Sequence, residues 1–251
     1  MSHIELSEEQ AMLLDQAASF AREAAPIARI RAMILKPEMD KDFWSSLVEL
    51  GWPGISIPEA HGGVGLGLSE VAPVVELLGR HLAPSPLVAT TLAAQALLAN
   101  GGDKQKAEWL PKIAAGEVAT LGLVEEDGDW DLEAVTSTFQ KFGDTLTLSG
   151  AKCFVLDADV AELFVVSVKL HGQTQLVAIT RDQLSAGAIA RETVIDETKR
   201  SFRISLDGVS ISASQVLPGR DLKAIERAAL LLACAEISGG IAGALNVTVD
   251  Y

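Results

Sequence analysis

The stretch "GLVEEDGDWD", residues 122–131, sets Asp127, Asp129 and Asp131 at alternate positions, the spacing with which carboxylates open a calcium loop. The glycine that such a loop needs next is Leu132, and the place of its closing glutamate is held by Thr138, so calcium chemistry is not supported. A solvated acidic turn accounts for the run. "HGGVGLGLSE", residues 61–70, has the glycines of a phosphate loop. It lacks the Gly-Lys-Ser/Thr ending and the third glycine of a dinucleotide fingerprint, and reads as a flexible connection. His3, His61, His81 and His171 are scattered without ligand spacing, and no Gly-x-Ser-x-Gly elbow carries a nucleophile. No metal site is expected. Glu226 and Glu236 lie in strongly apolar sequence, where an unpaired carboxylate is costly, so each is either functional or paired. Their separation puts them on different faces of a helix, and they are not expected to act as one pair.

The elements that must hold these residues fall into three blocks. In residues 1–117, "LSEEQAMLLDQAASFAREAAP" opens on a capping box, Ser7 with Gln10, repeats its apolar positions at helical spacing, and closes at Pro26. "DKDFWSSLVELGW" is a helix capped by Asp40 and stopped at Gly51. "SEVAPVVELLGRHL", "PLVATTLAAQALLANGG" and "DKQKAEWLPKIAAGE" follow as helices, the last with an irregularity at Pro111. From 118 to about 220 the pattern becomes short runs rich in Val, Thr, Ile and Phe between Gly and Asp turns, read as a β-barrel or sandwich of roughly seven strands. "FQKFGDTLTL" is a hairpin with Gly143-Asp144 at its turn. Residues 221–251 return to helix.

Helices, then strands, then a helix make an α+β multidomain chain with no βαβ alternation, which argues against a doubly wound nucleotide-binding sheet. "AALLLACAEISGGIAGAL" is apolar on nearly every side and reads as a buried helix rather than a membrane span. It needs other helices around it: either the chain is cut inside a third, helical domain, or partner chains cover it. The 251 residues are 49% apolar and carry 34 Asp plus Glu against 20 Lys plus Arg, a formal charge of −14. That balance argues against nucleic acid or an anionic membrane as partner. Cys153 and Cys234 form no disulfide framework, and "MSHIELSEEQ" has no signal-peptide pattern, so a cytoplasmic setting is expected.

In order along the chain, these segments resemble the acyl-CoA dehydrogenase family. "FWSSLVELGWPGISIPEAHGGVGLGLSE" is similar to the family's helix, its "I-x-x-P-E-x-x-G-G-x-G" loop and the next helix. "GGDKQKAEWLPKIAAGE" resembles its run into the β-domain, and "LSGAKCFVLDADVAELFVV" its "G-x-K-x-x-V" strand and the one after. "SFRISLDGVSISASQVLPG" resembles the last strands, and "GGIAGALNVTVDY" the start of the C-terminal bundle. The resemblance implies an N-terminal all-α domain, a central β-domain and the first helix of a C-terminal helical bundle. It implies FAD between sheet and bundle, and removal of the α-proton and β-hydride of an acyl-CoA to give an enoyl-CoA. It also implies homo- or hetero-oligomers with related subunits, and an electron-transfer flavoprotein as acceptor.

By that resemblance "GLVEEDGDWD" stands where the family has "x-L-T-E-P-x-A-G-S-D". The flavin-bonding threonine is Val124 here and the serine is Trp130; in place of "W-I-T" stand Phe154, Val155 and Leu156. Glu125, Asp131, Gly150 and Lys152 persist. The stretch is therefore an altered flavin-site loop with solvated acids. Leu123, Val124, Trp130, Phe154, Val155 and Leu156 are its candidate cofactor contacts, with backbone amides replacing lost hydroxyls at about 1 kcal/mol per hydrogen bond. Glu226, one turn before the implied base position at Ala229, is the candidate catalytic base. The family's diphosphate-binding arginine and Phe-Gly would follow Tyr251. Two further classes stay open: a non-catalytic partner of a flavin-binding paralogue, and a scaffold with no cofactor.

Overall fold

The computed structural model describes residues 7–36, 38–142 and 145–249. Six helices come first: α1 (Glu8–Ala24), α2 (Ile27–Ile34), α3 (Lys41–Glu49), α4 (Leu68–Arg80), α5 (Leu87–Asn100) and α6 (Asp103–Ala114). Their ends follow the caps. The Ser7–Gln10 capping box closes reciprocally, and the Asp40 carboxylate accepts from the Phe43 N–H at 2.9 Å. α1 ends at Ala24, and Pro26 closes it as the sequence implies. With φ −65° and no N–H to leave unpaired, it serves as the N-cap of α2, a helix that the sequence reading missed. Phe20 meets Phe43 and Trp52 with ring centroids 5.4 and 5.3 Å apart. The Trp44 indole donates to the Gly116 carbonyl at 3.0 Å, tying α3 to the entrance of the sheets.

The strands are β1 (Ala119–Gly122), β2 (Thr138–Phe142), β3 (Thr145–Ser149), β4 (Ala151–Leu156), β5 (Leu163–Leu170), β6 (Gln173–Thr180), β7 (Ile189–Arg191), β8 (Ser201–Ser205) and β9 (Ser210–Ser212). They form two sheets, one ordered β1-β5-β2-β3-β9 with β6 also on β5, the other β4-β8-β7, and no single closed barrel. The expected hairpin is present as β2 and β3, paired from Thr138↔Ser149 to Phe142↔Thr145; its Gly143-Asp144 turn lies outside the described residues, as does His3. Alternation alone does not yield β4, because its register with β8 shifts between Lys152 and Val155.

One last helix, α7 (Leu222–Val249), enters through a polar knot. The Asn100 side chain accepts from the Asp221 N–H at 2.6 Å, and the Asn100 carbonyl accepts from Gly219 at 2.8 Å. α7 then lies on α4 at backbone contact: a Cβ on Gly239 would stand 1.8 Å from the Glu76 carbonyl oxygen. α5 also packs against it. Only one face is covered, and Leu230, Ile237, Ile241 and Leu245 are exposed on the rest. By length and composition α7 is apolar enough to cross a membrane, but Gly239 and Gly243 serve the close seat on α4. Gly239→Val should lower stability by about 1–3 kcal/mol in denaturant unfolding, because α7 must lift from α4. Gly240→Ala, whose Cβ would meet nothing closer than 3.9 Å, serves as the control and should not destabilise. Equal stability of the Gly239→Val protein would contradict the seat.

Candidate functional site

Between β4, the segment after β1 and the first turns of α7 lies an open apolar cleft of about 500 Å³. Leu123, Val124, Trp130, Phe154, Leu156 and Glu226, drawn from three stretches of sequence, all line it. Val155 does not: its side chain is fully buried in the core beneath the sheet. Ala89 and Leu92 of α5 also contribute to the lining, and nothing in the sequence pattern marked them. The Thr120 hydroxyl donates to the Leu156 carbonyl at 2.6 Å, locking β1 to β4 and leaving no free hydroxyl from that residue.

The walls are held by a buried ion pair. Lys152 is fully enclosed; its Nζ stands 2.6 Å from Glu125 Oε1 and 3.0 Å from Ser167 Oγ. Ser167 in turn donates to the Leu123 carbonyl at 3.2 Å. Glu125 accepts from the Thr136 and Ser137 amides, both at 2.9 Å, and from the Thr136 hydroxyl. One carboxylate thus clamps both ends of the loop that carries Trp130. Gly150 completes the clamp, because at φ +118° a Cβ there would stand 2.5 Å from the Ser137 hydroxyl. Burial pushes the Glu125 carboxyl up, but Lys152, Thr136 and Ser137 outweigh it and hold it down to about 2.

The acids are therefore not all solvated: Glu125 is buried and structural, a correction to the sequence reading. The three aspartates make successive local turns. Asp127 accepts from Asp129 N–H at 3.2 Å, Asp129 from Asp131 N–H at 2.9 Å and Asp131 from Glu133 N–H at 2.9 Å. Among the described residues no group of three or more His, Cys, Asp or Glu could hold a metal ion. The glycine loop 61–70 folds back on its own backbone, with the Val64 N–H on the Gly54 carbonyl at 2.9 Å.

Phe154 sits in the register shift of β4 with φ +55°, a left-handed conformation costing roughly 1–2 kcal/mol for such a residue. Glu192 holds it there, accepting from the Phe154 N–H at 2.9 Å and the Ser201 hydroxyl at 2.8 Å. The strain aims the ring at the cleft instead of into the sheet, where 51% of Phe154 stays exposed. Glu226 is exposed on the α7 side, while Glu236 pairs with Lys199 away from the cleft, so the two carboxylates do separate jobs. Behind Leu156, Asp157 is buried with the Arg200 Nε at 3.4 Å, and Arg200 also pairs with Asp159. Burial pushes the Asp157 carboxyl up to about 7 against the pull of Arg200.

Residues 7–117 match the family model described as the acyl-CoA dehydrogenase N-terminal domain. The chain is similar to acyl-CoA dehydrogenase IpdE2 of Mycobacterium tuberculosis (strain ATCC 25618 / H37Rv), 32% identical over 246 residues, 97% of this chain and 64% of that protein. It spans between half and two thirds of the first curated relatives that it matches. Among solved structures it resembles butyryl-CoA dehydrogenase from Megasphaera elsdenii, with a TM-score of 0.87 and 20% identity over 100% of this chain and 70% of that one. It also resembles a chain of the ChsE4-ChsE5 complex from Mycobacterium tuberculosis, with a TM-score of 0.85 and 20% identity over 100% of this chain and 68% of that one.

Two carboxylates at this site should give pH responses of opposite sign. Glu125, lowered from 4.5 to about 2, adds stability above its unfolded value that is lost as pH falls through about 2. Relative to Glu125→Gln, the wild-type protein should lose about 3 kcal/mol between pH 5 and pH 2. Asp157, raised from 3.8 to about 7, contributes stability that is full below 3.8 and is lost as pH rises through about 7. Asp157→Asn should therefore gain on wild type as pH rises from 5 to 8. Urea unfolding across pH checks both, and a flat difference for either variant would remove that carboxylate's role.

Proposed function

The chain belongs to the acyl-CoA dehydrogenase family, and on that premise we propose that it is a flavoprotein subunit catalysing FAD-dependent α,β-dehydrogenation of an acyl-CoA thioester. The supporting observation is that one cleft gathers Leu123, Val124, Phe154, Leu156 and Glu226 at the junction of the sheets with α7. These residues suit a flat, largely apolar ring system: Phe154 is strained into the cleft, and most of the remaining wall is aliphatic. They would hold the isoalloxazine by packing and by backbone contacts around Leu123, Val124 and Leu156. When bound, FAD supplies the hydride acceptor that no side chain can provide. The protein's part is to exclude water from the cleft, align the Cα–Cβ bond and remove the α-proton. Glu226, the carboxylate at the rim, is the base in this reading. An electron-transfer flavoprotein serves as the acceptor of the electrons.

A second reading has this chain as the non-catalytic member of a mixed oligomer. It is favoured by the absence of a side-chain hydroxyl at Val124 and Leu156 and by the Thr120 hydroxyl being spent on the Leu156 carbonyl. The visible spectrum of the purified protein separates the two. A yellow protein with bound FAD, whose Glu226→Gln variant keeps its flavin but turns over about 10²–10⁴-fold more slowly, supports the first. A colourless protein that yields a yellow complex only with a related subunit moves the assignment to the second. Absence of flavin in both states overturns the first reading.

A further inference from the structure

We infer that Asp157 is a positioning residue of the cleft: it fixes the Leu156 wall from behind, and filling the cleft favours its uncharged form. The identity of the occupant rests on the flavin reading above. Leu156 and Ala89 line the cleft on one side and a small cavity on the other, so the wall between the two is one residue thick. Asp157 lies on that second cavity, behind the wall. The Leu156–Asp157 peptide is held at both its polar atoms. The Leu156 carbonyl accepts from the Thr120 hydroxyl at 2.6 Å, and the Asp157 N–H donates to the Arg200 carbonyl at 2.8 Å. At φ +52° Asp157 is left-handed, a conformation that Asp and Asn tolerate better than most residues.

The charges that meet behind the wall do not balance. Asp157 and Asp159 share Arg200, and Lys199 is taken by Glu236 of α7, so three carboxylates face two cations. Among the described residues, the other charged groups on the cavities that flank Asp157 are Arg191 of β7, Glu197, and Lys36, Glu38 and Asp40 of the helical block. Arg191, Glu197, Lys36 and Glu38 are exposed and screened by water, and Asp40 is paired with Arg29 at 3.2 Å. The excess charge falls on Asp157, whose side chain is 9% exposed against 28% for Asp159 and 31% for Glu236. Each flanking cavity holds about 20 Å³, room for about one water molecule and too little to hydrate a carboxylate. Water in the open cleft, beyond Leu156 and Ala89, is therefore part of what supports the charge. An occupant of the cleft displaces that water and disfavours the ionised form further. By linkage, the occupant binds less tightly as pH rises and Asp157 loses its proton.

Asp157→Asn keeps the left-handed backbone and removes the titrating group, so it should fold as the wild-type protein does. FAD titrated into each protein, followed by heat, should bind the wild type about fivefold less tightly at pH 8 than at pH 6 and bind Asp157→Asn equally at both. At pH 7 the wild type should take up part of a proton on binding, seen as a heat that varies with the buffer, and Asp157→Asn should not. Amide exchange needs no cofactor. Between pH 5 and pH 7.5 the N–H of residue 157 should lose at least tenfold in protection in the wild type relative to Asp157→Asn. FAD binding with the same pH dependence in both proteins overturns the link between occupancy and Asp157 and leaves the flavin reading standing. Equal protection of residue 157 in both proteins across this range overturns the positioning role. FAD that binds neither protein overturns the flavin reading, and exchange at residue 157 then decides the positioning role alone.

Discussion

A single buried ion pair fixes the geometry on which the cleft depends. Lys152 lies within the sheet with no exposed surface, where an isolated ammonium would be strongly disfavoured. Burial pulls it below its ordinary value and the Glu125 carboxylate opposes that pull. Removing one partner of such a pair typically costs about 3–5 kcal/mol, because the other charge is stranded. The pair does more than compensate itself. Through Glu125 it satisfies two loop amides, and through Ser167 it reaches the Leu123 carbonyl. The cleft wall at Leu123 and Val124 and the loop bearing Trp130 are thereby referred to one point in β4. Charge burial here serves to set positions, and the apolar core around it supplies the stability.

On this frame two local departures from regular structure build the cleft. The register shift in β4, with Phe154 left-handed, turns one ring outward that strict alternation would have placed differently. The glycine seat between α4 and α7 brings the first turns of α7 close enough to form the opposite wall. Neither departure is favourable locally. Each persists because its neighbours over-determine it, Glu192 for the first and the Asn100–Asp221 knot with the α4 contact for the second. The apolar face of α7 that remains exposed is the continuation of the same helix beyond the cleft.

Much of this was legible in the sequence, for physical reasons that differ by region. The capping box at Ser7 and the cap at Asp40 are local chemistry, and they appear in the structure where the residues imply. The β2–β3 hairpin was legible because its alternation is clean, and β4 was not evident from alternation because a bulge destroys it. Pro26 marks the end of α1 as the sequence implies, and it also opens α2, which short helical spacing alone does not reveal. At the site, the motif positions drew attention to Leu123, Val124, Trp130, Phe154, Leu156 and Glu226, which share the cleft, and also to Val155, which packs beneath it. Thr120, Glu192, Asp157 and Arg200 were invisible because long-range pairing leaves no trace in spacing. Glu125 reads as one of a run of solvated acids because its partner Lys152 lies 27 residues away, and no local pattern links them.

The most direct measure of the positioning role of this pair is amide hydrogen exchange in Lys152→Met compared with the wild-type protein. Thr136 and Ser137 should lose protection by two orders of magnitude or more, in keeping with the roughly 3 kcal/mol or greater cost of a broken buried pair, while α4 and α5 exchange as before. Unchanged protection at Thr136 and Ser137, with the fold intact, would mean that the loop and the cleft wall hold their places without the ion pair.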